Sequence, residues 1–102
     1  MRESIIEKYL HKQVTAAGGT TRKFTGWKNV PDRIVIWPTI HTFEKPRIVK
    51  DAARIHFVET KATGKTARAG QVREHKRLRA LGCVVLVLDT KAKVDNYVAN
   101  NR

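Results

Sequence analysis

A single cysteine, Cys83, leaves the chain without an internal disulfide or a cysteine-based zinc site. It stands in "GCVVLVLD" and reads as a small buried hydrophobe. Acidic residues are scarce as well, nine against 21 lysines and arginines. No apolar run approaches the roughly 20 residues that span a bilayer. The amphipathic start, "MRESIIEKYL", lacks the apolar stretch of a signal peptide. These absences point away from a disulfide-stapled scaffold and from a membrane protein, and make an intracellular, cytoplasmic chain the expectation. At 102 residues it is expected to form one domain, 1–102, with a modest core.

What is present in excess is positive charge. The net charge is +12 and the isoelectric point near 10.5, which suits a polyanionic partner, nucleic acid before anionic lipid. No long basic amphipathic helix with an aromatic face argues for a membrane surface. The segment from Lys61 to Arg79 carries seven basic residues and one acid, Glu74. Within it Lys65, Arg68, Arg73, Lys76 and Arg77 are the candidates for phosphate contacts. Trp27 and Trp37 are each readable as base-stacking or as core residues.

Hydrophobic spacing predicts the elements. Residues 2–17 carry Ile6, Leu10, Gln13, Val14 and Ala17 on one side at helical spacing, and "AAGG" stops the helix. "RKFT" suggests a short strand, "GWKNVPD" a turn, and "RIVIW" a strand ended by Pro38. Residues 39–53 have no convincing period and are expected to be an irregular insertion. "RIHFVETK" is the next strand and "ATGKT" a loop. Thr66 is a candidate N-cap for a helix over 67–81. "CVVLVLD" has the continuous apolar character of a strand buried on both faces. "KAKVDNYVANN" predicts a final helix with Val94 and Val98 inward. The order α-β-β-β-α-β-α implies an α/β fold, a mixed sheet flanked by helices.

One strand combines a carboxylate and an ammonium on the same side. Successive strand side chains alternate faces, so Glu59 and Lys61 in "VETK" point together. A same-face salt bridge is the plain explanation. Asp32 in "VPDR" offers another: if the strands starting at Arg33 and ending near Lys61 pair, Asp32 and Glu59 converge at one sheet end. Converging carboxylates repel unless a cation lies between them, and hard oxygen ligands select Mg²⁺ or Mn²⁺. Asp32 is equally readable as a turn residue after proline. Gln71 and His75 share the packing stripe of Ala67, Leu78 and Leu81. An unpaired buried amide costs about 1–3 kcal/mol, so Gln71 is either a satisfied core residue or aimed at the carboxylates. Glu7 edges the first helix's apolar stripe and is either a further carboxylate or a surface partner of Lys8 or His11. Glu3 reads as surface.

Together Glu7, "VPDR" with Asp32, "VETK" with Glu59 and Lys61, Gln71 in "GKTARAGQ", and "LRALGCVVLVLD" resemble the VRR-Nuc family of the PD-(D/E)xK, restriction-endonuclease-like superfamily. The resemblance spans nearly the whole chain and is to the standalone form of bacteria and phages. The insertion at 39–53 is longer than in compact members, and His75 stands where nucleases with a Gln-x-x-x-Tyr motif carry tyrosine. The resemblance implies a metal-dependent phosphodiesterase with catalytic residues Glu7, Asp32, Glu59, Lys61 and Gln71. Its Mg²⁺ or Mn²⁺ would be held by Asp32, Glu59 and the main-chain carbonyl of Thr60. It further implies a homodimer acting on branched DNA such as four-way junctions. A flap or nicking nuclease is the nearest alternative, and a noncatalytic basic nucleic-acid-binding protein is the alternative of another class.

Overall fold

Alternation along the strands sorts a four-stranded sheet into two unlike faces. A computed structural model describes residues 1–39 and 53–102. Apart from Thr39 and Ala53, the expected irregular insertion lies outside the described residues. The elements are α1 (Glu3–Ala16), β1 (Thr20–Lys23), β2 (Arg33–Trp37), β3 (Arg54–Thr60), α2 (Ala69–Ala80), β4 (Val84–Leu88) and α3 (Lys91–Asn101). The strands lie in chain order, β1-β2-β3-β4. The first two pairings are antiparallel, and β3 runs parallel to β4. The element order is the one the hydrophobic spacing predicts. No helix among the described residues is long and apolar enough to cross a membrane.

One face is an ordinary core. Ile6, Leu10 and Val14 recur at four-residue spacing, so they form one stripe of α1 and are fully buried. They meet Val35, Trp37 and Val58 of the sheet and Val94, Tyr97 and Val98 of α3. After α1 the chain must turn tightly against the sheet. A Cβ at Gly19 would lie 2.8 Å from the Ile36 carbonyl oxygen and 2.9 Å from Val14 Cγ1, so only glycine fits. Trp37 Nε1 donates to the Tyr97 hydroxyl at 2.8 Å, and the same hydroxyl lies 2.7 Å from His56 Nδ1.

Several expectations need correction. The helix expected over 67–81 begins at Ala69, with Arg68 rather than Thr66 as its N-cap. The reason is Gln71, whose Oε1 accepts the Arg68 backbone N–H at 2.9 Å and fixes where the first turn starts. Leu81, expected inward, lies beyond the last turn and is 82% exposed, while Glu74 takes a buried place. The strand β4 is not buried on both faces. It is the sheet edge among the described residues, and Val84 is 42% exposed. Its far end, Leu88, joins the α1–α3 core and Leu86 packs against it half-buried, beside a cavity of about 460 Å³ lined by Val84, Leu86, His56 and Tyr97. The early strand is also shifted, Thr20–Lys23 rather than "RKFT".

Candidate active site

Strand direction brings two carboxylates level with one another. In the β2–β3 pairing Arg33 stands opposite Val58, so Asp32, just before β2, comes beside Glu59 and Thr60. Asp32 is clamped there. Its Oδ1 accepts the Thr60 backbone N–H at 2.9 Å and its Oδ2 accepts the Thr60 hydroxyl at 2.6 Å. A third carboxylate comes from the first turn of α1. One oxygen each from Glu3, Asp32 and Glu59 lies within 4.8 Å of the others.

This third carboxylate is Glu3, not Glu7. The two stand one turn apart on the same side of α1, about 5.4 Å along the axis. Glu7 is held by the Arg33 guanidinium. Arg33 and Asp32 are adjacent in the chain and point to opposite faces of the sheet. A glutamate that reaches Arg33 is therefore on the wrong side for Asp32, whereas Glu3 extends past the strand end. That alternation in "PDR" is the signal that separates the two glutamates.

Gln71 ties the rest together. Its Nε2 donates to Glu59 Oε1 at 3.2 Å, and its Oε1 accepts from Lys61 Nζ at 2.9 Å as well as from Arg68. The reverse amide orientation would set its NH₂ against two donors, so the hydrogen-bond network itself assigns the flip. Lys61 and Glu59 do face the same way, but they are joined through this amide rather than by a direct ion pair. The orphan in the site is His75. It is buried, its Nε2 has no hydrogen-bond partner, and that atom lies 3.8 Å from Glu59 Oε1. Burial, with Arg79 and Lys61 nearby, pulls the His75 imidazole below its ordinary range, which favours the neutral form.

The electrostatics follow from this crowding. Glu59 is only 3% exposed. Burial first, then the Asp32 carboxylate, pushes its carboxyl up to about 8 against the opposing pull of Lys61. A cation among the three carboxylates relieves that repulsion. All three side chains offer hard oxygen donors, the chemistry that suits Mg²⁺ or Mn²⁺.

The predicted phosphate-binding residues Lys65, Arg68, Arg73, Lys76 and Arg77 are all exposed. Arg77 is partly engaged, its Nε donating to Glu74 at 3.0 Å. Trp37 is a core residue, and Trp27 is 73% exposed.

No protein-family model matches the sequence. "Putative nuclease p44" of Acyrthosiphon pisum secondary endosymbiont phage 1 is 41% identical over 93 residues, which cover 89% of this chain and 86% of that protein. A solved structure described as a VRR_NUC domain is similar with a TM-score of 0.75 at 30% identity, over 95% of this chain and 94% of its own. Among the described residues the mixed sheet with its three helices is the restriction-endonuclease-like α/β arrangement that the motifs imply. With both likenesses running nearly end to end, the chain belongs to the VRR-Nuc family of nucleases.

Proposed function

We propose that this nuclease is a Mg²⁺- or Mn²⁺-dependent DNA endonuclease that acts on branched DNA, such as four-way junctions, as a homodimer. The observation that carries the reading is the meeting of Glu3, Asp32 and Glu59 within 4.8 Å, with Lys61 held beside them through Gln71. The ion would be held by Asp32, Glu59 and the Thr60 main-chain carbonyl, with Glu3 as a further carboxylate. Bound there, it would neutralise charge on the scissile phosphate and lower the pKa of the attacking water.

The chain's own residues do the remainder. Lys61 places an ammonium where negative charge develops on the phosphate. Gln71 is a positioning residue, fixing Lys61 and Glu59 at once and tying both to the start of α2. Glu7 holds Arg33 and orients α1 so that Glu3 reaches the site. Lys65, Arg68, Arg73 and Lys76 hold the DNA backbone, and Arg77 contributes a charge it shares with Glu74.

Two active sites against one branched substrate require a second copy. The β4 edge supports this, since a strand that is an edge among the described residues, with an exposed apolar residue, Val84, beside an apolar cavity, suits self-association. The test is a cleavage panel of junction, flap, splayed and plain duplex DNA with Mg²⁺, with Mn²⁺ and with chelator, alongside light scattering. Paired cuts in the junction by a dimer are expected. Preferential cutting of the flap, or single nicks by a monomer, would replace the junction reading. Cleavage that persists in chelator would remove the metal.

A further inference from the structure

Trp27 stands in water, in the loop between β1 and β2, 73% exposed. A single apolar residue on a surface is ordinary and by itself indicates nothing. Three further observations give this one a direction. The first is place. The loop is closed by a hydrogen bond from the Phe24 N–H to the Asp32 carbonyl at 2.9 Å, so its closing residue carries one of the site's carboxylates.

The second is rigidity. Asn29 adopts a left-handed conformation, φ 65°, two residues after Trp27. It packs so closely on Gly70 that a Cβ there would lie 2.7 Å from Asn29 Nδ2. Gly70 immediately precedes Gln71, and Pro31 is fully buried. The loop is thereby pinned to the start of α2, beside the Gln71–Lys61 pair. Its indole is presented from a fixed support.

The third is charge. From Lys8 to Pro31 the sequence has no acidic residue, and Arg22, Lys23 and Lys28, on the strand and loop that carry Trp27, are all exposed. A flat apolar ring in basic surroundings suits a partner that has both phosphates and flat aromatic faces, which is nucleic acid. Paired bases in a duplex have their faces covered by their neighbours. An indole on a fixed loop finds a free face only where a base is unpaired or a step has opened.

We propose that Trp27 stacks on an unpaired base next to the scissile phosphate and so biases this nuclease toward DNA that is open at the cut. The proposal deepens the DNA-cleaving reading and rests on it for the identity of the substrate. Trp27 selects; Lys61 and the carboxylates cut.

The test uses the full chain in chelator, so that binding is read without cleavage. Two labelled hairpin duplexes are compared, identical except for one unpaired thymine. The bulged hairpin should quench tryptophan emission more than the plain one. That excess should vanish in Trp27→Phe, whose remaining indole, Trp37, is buried. Trp27→Ala should lower the bulged-to-plain affinity ratio by about tenfold, and Trp27→Phe by less. A melting temperature near that of the wild type would separate this from misfolding. An unchanged ratio in Trp27→Ala, or equal quenching by the two hairpins, would overturn the proposal. Cleavage of the same hairpins in Mg²⁺ is scored separately. A ratio lowered by Trp27→Ala beside a wild type that never cuts defeats the metal-nuclease reading alone, and a wild type that cuts beside an unchanged ratio in Trp27→Ala defeats the stacking alone.

Discussion

His56 and Glu59 lie on the same strand and face opposite sides of the sheet, and each is the buried centre of a polar cluster. The groups hydrogen-bonded around His56 are neutral and matched. Trp37 donates to the Tyr97 oxygen, and the Tyr97 hydroxyl meets His56 Nδ1. Burial pushes Tyr97 up to about 12 and pulls His56 down, so neither is charged near neutral pH. Around Glu59 three carboxylates face one lysine through an amide, and His75 Nε2 has no partner. Both clusters have a buried centre and both are hydrogen-bonded. They differ in net charge and in whether donors and acceptors balance. Burial alone therefore does not separate groups that hold the fold from groups that do chemistry, and residual charge does.

Crossing the two clusters is the strongest way to break this comparison. Asp32→Ala and Glu59→Ala should each lower single-turnover junction cleavage in Mg²⁺ by about a hundredfold or more. DNA affinity should stay near wild type, because affinity comes from lysines and arginines on phosphates. Asp32→Ala should also lose about 1–3 kcal/mol by leaving the buried Thr60 N–H and hydroxyl without their acceptor. Thermal stability should hold in Glu59→Ala, since the crowding with Asp32 is relieved. Tyr97→Phe should do the reverse, costing about 1–3 kcal/mol by leaving the Trp37 N–H and His56 without a partner. Cleavage by the folded fraction of that variant should be retained. Equal responses from both clusters, read by melting and cleavage on the same preparations, would end the distinction.

Gln71 belongs to the site and also to the helix, so its two duties can be separated. Gln71→Glu keeps the acceptor for Lys61 and Arg68 and replaces the donor to Glu59 with a carboxylate. Cleavage should fall about ten- to a hundredfold with little change in melting temperature. Gln71→Ala should add a loss of about 1 kcal/mol from the missing helix cap. A fall in melting temperature that accounts for the lost activity of Gln71→Glu would make Gln71 a residue of the fold.

Proton linkage sharpens the comparison without any change to the DNA. In the folded chain Glu59 keeps its proton up to about 8, against an ordinary value of 4.5. Between those limits the folded state binds more protons than the unfolded one, so stability falls as pH rises. His56 and His75 are both lowered from 6.5 and act in the opposite sense below that value. The clear window for Glu59 is therefore pH 6.5 to 8. In chelator the melting temperature should drop across this window, and the drop should be absent in Glu59→Gln. Mg²⁺ should flatten it by holding the carboxylate ionised. A slope that survives both changes comes from another group.

The smallest effect concerns the outer surface. Neutralising Arg73 and Lys76 together should flatten the salt dependence of duplex binding by about 0.9 for each phosphate they neutralise in the wild type. Arg77→Gln should contribute less, because its guanidinium is shared with Glu74. An unchanged slope in the Arg73–Lys76 variant would move the DNA to another face.

Much of this arrangement is legible in the sequence. β2 and α3 match their expected spans because Pro38 ends one apolar run and Val94 and Val98 mark the other's inward face. The approach of Asp32 to Glu59 follows from antiparallel pairing alone. What is not legible depends on packing between elements. Glu3 and Glu7 share one side of α1, and the alternation in "PDR" separates them only once the height at which α1 crosses the strand end is fixed. The start of α2 is fixed by the reach of Gln71 back to Arg68, which no propensity encodes. The edge position of β4 leaves Val84 exposed although its sequence is uniformly apolar, because the run of valines and leucines carries no mark of which neighbour is missing.

The two clusters share β3, and parity along that strand has a consequence for how the gene can change. His56 and Glu59 are separated by an odd number of positions, which is why they face opposite ways. Inserting or deleting one residue between them would turn the whole downstream half of the strand over. The Glu59 carboxylate would enter the aliphatic core, and Val58 or Thr60 would face α2 in its place. Substitutions along β3 act on one cluster at a time, whereas a single-codon insertion or deletion strikes both. Across these residues the strand tolerates changes of kind but not of length.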